Sequence, residues 1–488
     1  MSLDPPTYIS ALQNNIRARP ISWEGAVRAK TITDADLKKI KSIDKVRKEQ
    51  RKQTVESDVD SFVVLLVGGD GSLSIFEAAA KRQDIVQYML VLMGDMIDDI
   101  PTLTSALVQH PAPFKPFLPL LKASVNVEDA LPLLTSSVLS RLVSYAITSS
   151  TKNPSQIDEA LPQLYTYLAA LSSSSDAGLQ DIAVQEYSAL LRDRRSREQF
   201  WKQRGETLEP LFNILRTASG ASKDRDSDLW SGGGSSTRSG TEAGIAGNVG
   251  LQLLYHVLLV VWQLSFEGEL VGDGLQDEHD IIILYTHLLR LSPKEKTTRL
   301  LLSTLLNLLS TNRSTLLPAA VLARLPTLLT TLKGRHLTDP DALEDLTTLT
   351  ELVDEYTKTQ TTFDEYAAEL RGGHLRWSPP HRNPTFWRDN ARRILDDNKN
   401  ELPRKLAEIL SKGWESDKQV LAIGCNDVAC LVKEVPEKRY LLEKLGLKTR
   451  VMELMQEADE GVRWESLRAV GEWLRYSFDG GRKDVVVR

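Results

Sequence analysis

Gly68-Gly69-Asp70-Gly71-Ser72 is the stretch of this chain whose residue types come nearest to chemistry. Glycines let a backbone approach a phosphate closely, and the free N–H groups at a helix start carry partial positive charge toward it. An apolar run, Phe62 to Val67, precedes the glycines, and a helix-forming segment, Leu73 to Lys81, follows. Strand, glycine loop and helix in that order make a phosphate cradle, with Asp70 as the acid. A turn between two helices uses the same residues, because glycine permits a tight reversal.

Other candidate groups are scattered. The seven histidines, His110, His256, His279, His287, His336, His374 and His381, form no HExxH or other tight metal spacing. His374 and His381 flank Trp377 and could approach each other in a loop, where structural packing is the expected role and a metal site the alternative. The acidic stretch 267–280 lacks the DxDxDG order of a calcium loop and reads as a solvated turn. Cys425 and Cys430 are five apart, which fits neither a CxxC site nor a disulfide framework; buried thiols in a reducing compartment are expected. Basic residues cluster at 38–52 and 192–197. The first group spreads round a helix as a solvated face, or as a contact with an acidic protein partner. There is no GxSxG, no GxxxxGK[ST] and no cysteine in a recognisable protease context, so no catalytic, cofactor-binding or metal-binding residue is assigned.

The elements that would have to position such groups are almost all helices. The chain has 488 residues, 41% hydrophobic and 26% charged, with a net charge of −6. That balance argues against a generally basic nucleic-acid binder. In 176–193, Leu179, Ile182, Ala183, Tyr187, Leu190 and Leu191 recur at helical spacing and form one apolar stripe. Segments of this kind, broken by short polar turns, continue from about residue 54 to 357. A helix pair with its turns occupies about 40 residues, the size of an armadillo or HEAT unit. Residues 179–215 have the armadillo rhythm: a helix, a short helix carrying Phe200 and Trp201, a kink at Gly205 and a leucine-rich helix. Stacked units of this kind leave a long curved groove. The most apolar long stretch, 251–266, falls short of a membrane span and carries Gln252, His256 and Gln263, so it reads as a buried helix. The N-terminus lacks the basic-then-apolar order of a signal peptide, and a cytosolic setting is expected. Residues 219–249 are dominated by Gly and Ser and read as a mobile loop. A second break at 357–362 precedes a change of texture and places a domain boundary near 360.

The glycine segment resembles the GGDG motif of diacylglycerol and NAD kinases, but a kinase needs a strand series around the loop. None is legible. The segment is therefore read as a turn, and Phe62 to Val67 as the end of a buried helix despite its valines.

A broader resemblance covers nearly the whole chain. Residues 19–40, 86–99, 260–266, 292–302, 362–390 and 441–474 are similar, in family order, to segments of the H subunit of the vacuolar-type proton-translocating ATPase. The most specific is 362–390, which carries an L-x-W-S-P-x-H…F-W-x-[ED]-N pattern through Leu375, Trp377, Ser378, Pro379, His381, Phe386, Trp387 and Asn390. The resemblance implies an all-α fold, an armadillo/HEAT-like right-handed helical solenoid over 1–358, a linker at 359–362 and a smaller C-terminal helical domain over 363–488. It implies a non-catalytic subunit without cofactors, whose solenoid grips the coiled coil of the peripheral stalk. Its C-terminal domain would contact the catalytic sector and rotor, or the cytosolic domain of the large membrane-sector subunit. Such a subunit supports proton transport in the assembled pump and silences ATP hydrolysis by the detached soluble sector. It would work at the cytoplasmic face of vacuolar or endosomal membranes, and in the cytosol after detachment. By position alone, the family's inhibitory loop falls on Lys412, Gly413, Trp414, Glu415, Ser416, Asp417 and Lys418. Trp414 is either an exposed docking aromatic or a residue packed back on its own helices. A generic armadillo or HEAT adaptor is the alternative function, and a kinase the remote one.

Overall fold

The computed structural model describes residues 7–69, 71–122, 126–149, 154–220, 249–292, 294–359, 361–415 and 417–483. Asp70, Ser416 and nearly all of the Gly/Ser-rich stretch lie outside them. The chain is all-α, built of successive helices joined by short turns. Among the described residues no strand occurs, and the single β-like feature is an isolated bridge between Gly69 and Ser72.

That bridge settles how the glycine segment folds. Val59–Val67 is a helix, started by the Asp58 side chain, which accepts from the Ser61 N–H at 3.4 Å. Phe62, Leu65 and Leu66, at helical spacing, are buried. The packed face overrides the strand preference of the valines. The helix stops at Gly68, whose φ of +91° is the left-handed region and where a Cβ would meet the Ser72 carbonyl oxygen at 2.9 Å. Gly69 and Ser72 then exchange backbone hydrogen bonds of 3.2 and 3.0 Å. The following helix is only Ile75–Ala78, shorter than the 73–81 expected, because the Ser74–Glu77 capping box delays its start and leaves Leu73 exposed. Glycine here serves a helix-to-helix turn, and the kinase reading loses the sheet it needs.

Two compact units emerge, Met1–Ala218 with Ile245–Val271, and Ser219–Gly244 with Gly272–Arg488. In the first, neighbouring helices stack in chain order. Gln83–Asp99 packs on Ala130–Thr148, which packs on Pro154–Ser172; that helix packs on Ala177–Leu190, and it in turn on Leu251–Ser265. The stripe expected in 176–193 is buried at all six positions. Tyr165, Tyr187 and Phe200 form a ring cluster with centroids 5.0 to 5.9 Å apart. The break before the third helix falls at Gln203; Gly205 is inside the helix Arg204–Ser219 rather than a kink. Among the described residues one helix, Ala130–Thr148, is long and apolar enough to cross a membrane. Its Ser136 and Ser140 reach the buried Glu186 at 3.4 and 2.8 Å, the signature of a core helix. Burial pushes the Glu186 carboxyl up to about 7, against those two hydroxyls.

Two readings of charge need correction. The acidic stretch is not a turn: Gly268–His279 is a helix with Val271 and Leu275 buried. Just before it, Glu267 holds Arg197 at 2.8 Å and Arg194 at 3.6 Å. Nor does the basic cluster lie on one helix. It divides between Asp34–Ile43 and Lys48–Glu56, and part of its charge meets the acidic end of Gln83–Asp99 through Lys48–Asp99 and Arg51–Asp95.

In the second unit, the helices Ile281–Leu291, Glu295–Thr311, Arg313–Leu322, Leu325–Lys333 and Pro340–Thr359 precede the C-terminal region. The two compact units divide at Val271 and Gly272. Residues 363–473 nevertheless hold one continuous apolar core from Phe363 to Trp473. The joint before it is short. Pro340–Thr359 ends and Thr361 already caps the next helix, its hydroxyl on Asp364 at 2.6 Å and the Asp364 N–H returning at 3.3 Å.

Candidate functional site

The family-like motif of residues 375–390 starts in a loop and runs into the helix Pro384–Asp396. Asn383 starts that helix by accepting from the N–H groups of Thr385 and Phe386 at 3.0 and 3.4 Å. Phe386 and Trp387 then point inward with Leu375, and all three are buried. Tyr366 sits among them, its ring centroid 5.4 Å from Phe386, 5.3 Å from Trp387 and 5.5 Å from His381. Asn390 closes on the Phe386 carbonyl at 3.0 Å, Ser378 is the residue before the short helix Pro379–Arg382, and Arg382 lies 4.8 Å over the Trp377 ring. Leu375, His381, Phe386 and Trp387 thus build a core, with Trp377, Ser378 and Asn390 half-buried and Pro379 exposed.

At its centre is His381, whose side chain is fully buried. Nδ1 faces Asp427 Oδ1 at 2.8 Å and Nε2 faces Glu369 Oε2 at 2.9 Å. Burial alone would pull the imidazole pKa down. Asp427 and Glu369 outweigh it and hold it up at about 10, so the ring is an imidazolium donating from both nitrogens. Such a ring has no lone pair left for a metal or for a proton from substrate. The Trp387 indole N–H and the Asn426 amide both donate to the His381 carbonyl, at 3.3 and 3.1 Å, and the Arg376 N–H donates to Glu369 at 3.2 Å. Among the described residues no group of three or more His, Cys, Asp or Glu is arranged to hold a metal ion. Both cysteines are free thiols; Cys425 is buried and Cys430 half-buried, and burial pushes each up to about 12.

Sequence reasoning did not single out Glu369, Asn426 or Asp427. A signal was present: Asp427 interrupts the apolar helix Gln419–Glu434, where an ionisable group needs a partner.

The loop 412–418 joins Glu401–Ser411 to Gln419–Glu434. Trp414 takes the left-handed conformation, φ +46°, which turns its side chain inward. It is 7% exposed. Its indole N–H donates to the Ile409 carbonyl at 2.7 Å, which also accepts the Lys412 N–H at 3.3 Å where the helix ends. The ring meets His374 edge to face at 5.3 Å, and Lys412 Nζ lies 5.4 Å from its centroid. His374 Nε2 faces Asp417 at 3.2 Å, and Lys418 donates to the Gly413 carbonyl at 3.0 Å and pairs with Glu457 at 3.3 Å. Of the two readings of Trp414, the packed one holds, and the loop offers Lys412, Gly413 and Glu415 to solvent.

Beside the loop opens a cavity of about 700 Å³ lined by Arg290, Arg324, Arg376, His374, Trp377 and Asp417, among others. Arg376 donates to the Leu322 carbonyl at 3.1 Å; burial and then Arg324 lower its pKa, while Glu369 and Asp417 offset part of that. His374 and the loop residue Asp417, in contact with each other, both line this cavity.

Two family models described as the H subunit of the V-ATPase match the chain, an N-terminal one over residues 7–353 and a C-terminal one over 359–478. The chain is 26% identical to a probable V-type proton ATPase H subunit of Caenorhabditis elegans, covering 95% of this chain and 94% of that one. It is 25% identical to the V-type proton ATPase H subunit of Drosophila melanogaster, covering 98% and 93%. Among solved structures, a designed armadillo repeat protein matches with a TM-score of 0.41 at 10% identity, over 61% of this chain and all of that one. An engineered protein matches with a TM-score of 0.39 at 13% identity, over 97% and 96%.

Proposed function

The chain belongs to the V-ATPase H-subunit family, and we propose that it is the non-catalytic regulatory subunit of a V-type proton pump. The observation that carries this is the coverage: the two family models together run from residue 7 to 478 and break where the core beginning at Phe363 takes over. In this reading the helical stack before about 358 holds the coiled coil of the peripheral stalk, as a helix laid along stacked helix pairs. The C-terminal region from 363 engages the catalytic sector and rotor, or the cytosolic domain of the large membrane-sector subunit. The joint at 359–362 links the two roles. The protein works at the cytoplasmic face of vacuolar or endosomal membranes, supports proton transport in the assembled pump, and inhibits ATP hydrolysis by the detached soluble sector.

Loop 412–418 is the proposed inhibitory element, with a division of labour between its residues. Trp414 and Asp417 fix its shape; Lys412 and Glu415 meet the partner. A tagged chain should recover stalk and catalytic subunits from vacuolar membranes, and added chain should lower ATP hydrolysis by the detached sector. Recovery of neither class of subunit rejects the reading. The double reversal Lys412→Glu/Glu415→Lys keeps the fold and should weaken inhibition while stalk binding persists. Full inhibition by that variant removes the loop from the mechanism.

A further inference from the structure

The last helix, Glu460–Lys483, has two apolar faces. Val462, Ser466, Ala469 and Trp473 are buried in the C-terminal core. On the opposite side Trp464, Leu467 and Leu474 are 68%, 50% and 53% exposed. With Gly471 they fall at positions 464, 467, 471 and 474, the alternating three-and-four spacing of a helix–helix seam. Isolated exposed apolar residues are ordinary, but three large ones in one seam register are an interaction stripe.

Two further observations identify the occupant. Gly471 is exposed in mid-helix with nothing within 4 Å of a Cβ built on it. Glycine there costs about 1 kcal/mol against alanine, and no packing among the described residues requires it. Between Leu467 and Leu474 it makes a hole into which a partner's side chain fits. Arginines border the stripe, Arg468 and Arg475 on the Trp464 side and Arg463 on the other. Arg468 is paired with Glu465 at 2.9 Å, and Arg463 donates to the carbonyls of Glu457 and Ala458 at 2.8 and 2.6 Å, so both are held in place. Glu460, a turn before Trp464, is the one acid on the line.

We propose that this face docks an amphipathic helix of another polypeptide, one with large apolar residues at seam spacing and acidic residues along its flanks. A second copy of this chain is the poorer occupant, since it would set one row of arginines against another. The inference rests on the reading of the C-terminal region as the part that engages partners, and it names the chemistry of one such partner.

The test uses the full chain and a synthetic 28-residue helical peptide with leucine at both seam positions of each heptad and glutamate on both flanks; a twin peptide carries lysine on the flanks. Calorimetry should give the glutamate peptide a Kd of about 10 μM or below. Leu467→Glu/Leu474→Glu should weaken it at least about tenfold. The single change Leu474→Gln, milder for folding, should weaken it about threefold, with unchanged circular dichroism in both variants. Failure of the glutamate peptide to bind overturns the proposal. So does equal binding of the lysine peptide, or self-association of the wild-type chain that the double variant abolishes. The assay contains no pump component, so a negative result leaves the regulatory-subunit reading standing; failure to recover pump components would reject that reading without touching the peptide result.

Discussion

Trp414 lies in a polar turn and is 7% exposed, whereas Trp464 lies in a regular helix and is 68% exposed. Their surroundings account for the inversion. A turn residue has no helical neighbours to dictate its direction. At Trp414 the left-handed backbone and the Ile409 carbonyl near the end of Glu401–Ser411 hold the indole inside. A helix residue has its direction fixed by register. Once Val462, Ser466, Ala469 and Trp473 claim the core face, Trp464 must stand outside. An aromatic in a loop can thus be an internal anchor, while one in a helix can mark an interface.

The widest separation should come from deleting each ring. Trp414→Ala leaves a void against His374 and removes the indole hydrogen bond to the Ile409 carbonyl, and should cost about 3–5 kcal/mol in chemical denaturation. Trp464→Ala should stay within about 0.5 kcal/mol. Similar losses at both positions would break the contrast.

The buried side of the contrast is sharpened by His381. Its replacement by Asn leaves Glu369 and Asp427 buried without their cation, a loss of about 3 kcal/mol. The wild-type chain should also show a pH signature. An unfolded His titrates near 6.5 and the folded one near 10. Below about 6.5 both forms carry the proton, and this contribution is present in full. As pH rises the unfolded chain sheds a proton that the folded chain keeps, so stability declines until about 10. Melting curves across that range should show the decline in the wild type and a shallower one in His381→Asn.

The contrast extends to turns. Gly68 has φ +91° and a Ser72 oxygen 2.9 Å from the site of a Cβ, so Gly68→Ala should cost about 1–3 kcal/mol. Gly413, in the proposed inhibitory loop, has open space around it and no positive φ, and Gly413→Ala should be neutral within about 0.5 kcal/mol. Equal losses would mean that the loop is held as tightly as the structural turn.

The sequence was readable where local periodicity decides the outcome. The stripe at 176–193 follows from spacing alone, and the helix containing Phe62 to Val67 from the lack of any strand series beside it. It misled at 267–280, where a dense acidic composition read as a solvated turn although the i,i+4 pair Val271 and Leu275 marks the buried face of a helix. The partners within the His381 cluster were out of reach, although Asp427 in an apolar helix signals the need for one: Glu369 is 12 residues away and Asp427 is 46, and no local pattern links them. The loop 412–418 was placed by likeness to a family, while the inward turn of Trp414 depends on a backbone angle that composition does not encode.

Gly471 carries the smallest expected change and the sharpest distinction, because folding and docking pull in opposite directions there. Its site is open and its φ is not positive, so alanine fits without strain. Removing glycine from a helix interior lowers the entropy of the unfolded chain, and Gly471→Ala should stabilise the protein by about 0.5–1 kcal/mol. The same methyl group begins to fill the hole between Leu467 and Leu474, and should weaken the acidic-flanked helix by about two- to threefold. A gain in stability with unaltered peptide affinity would make the glycine incidental and leave the stripe to its leucines and tryptophan. A gain in one and a loss in the other is what a residue kept for a partner, at the expense of its own helix, must show.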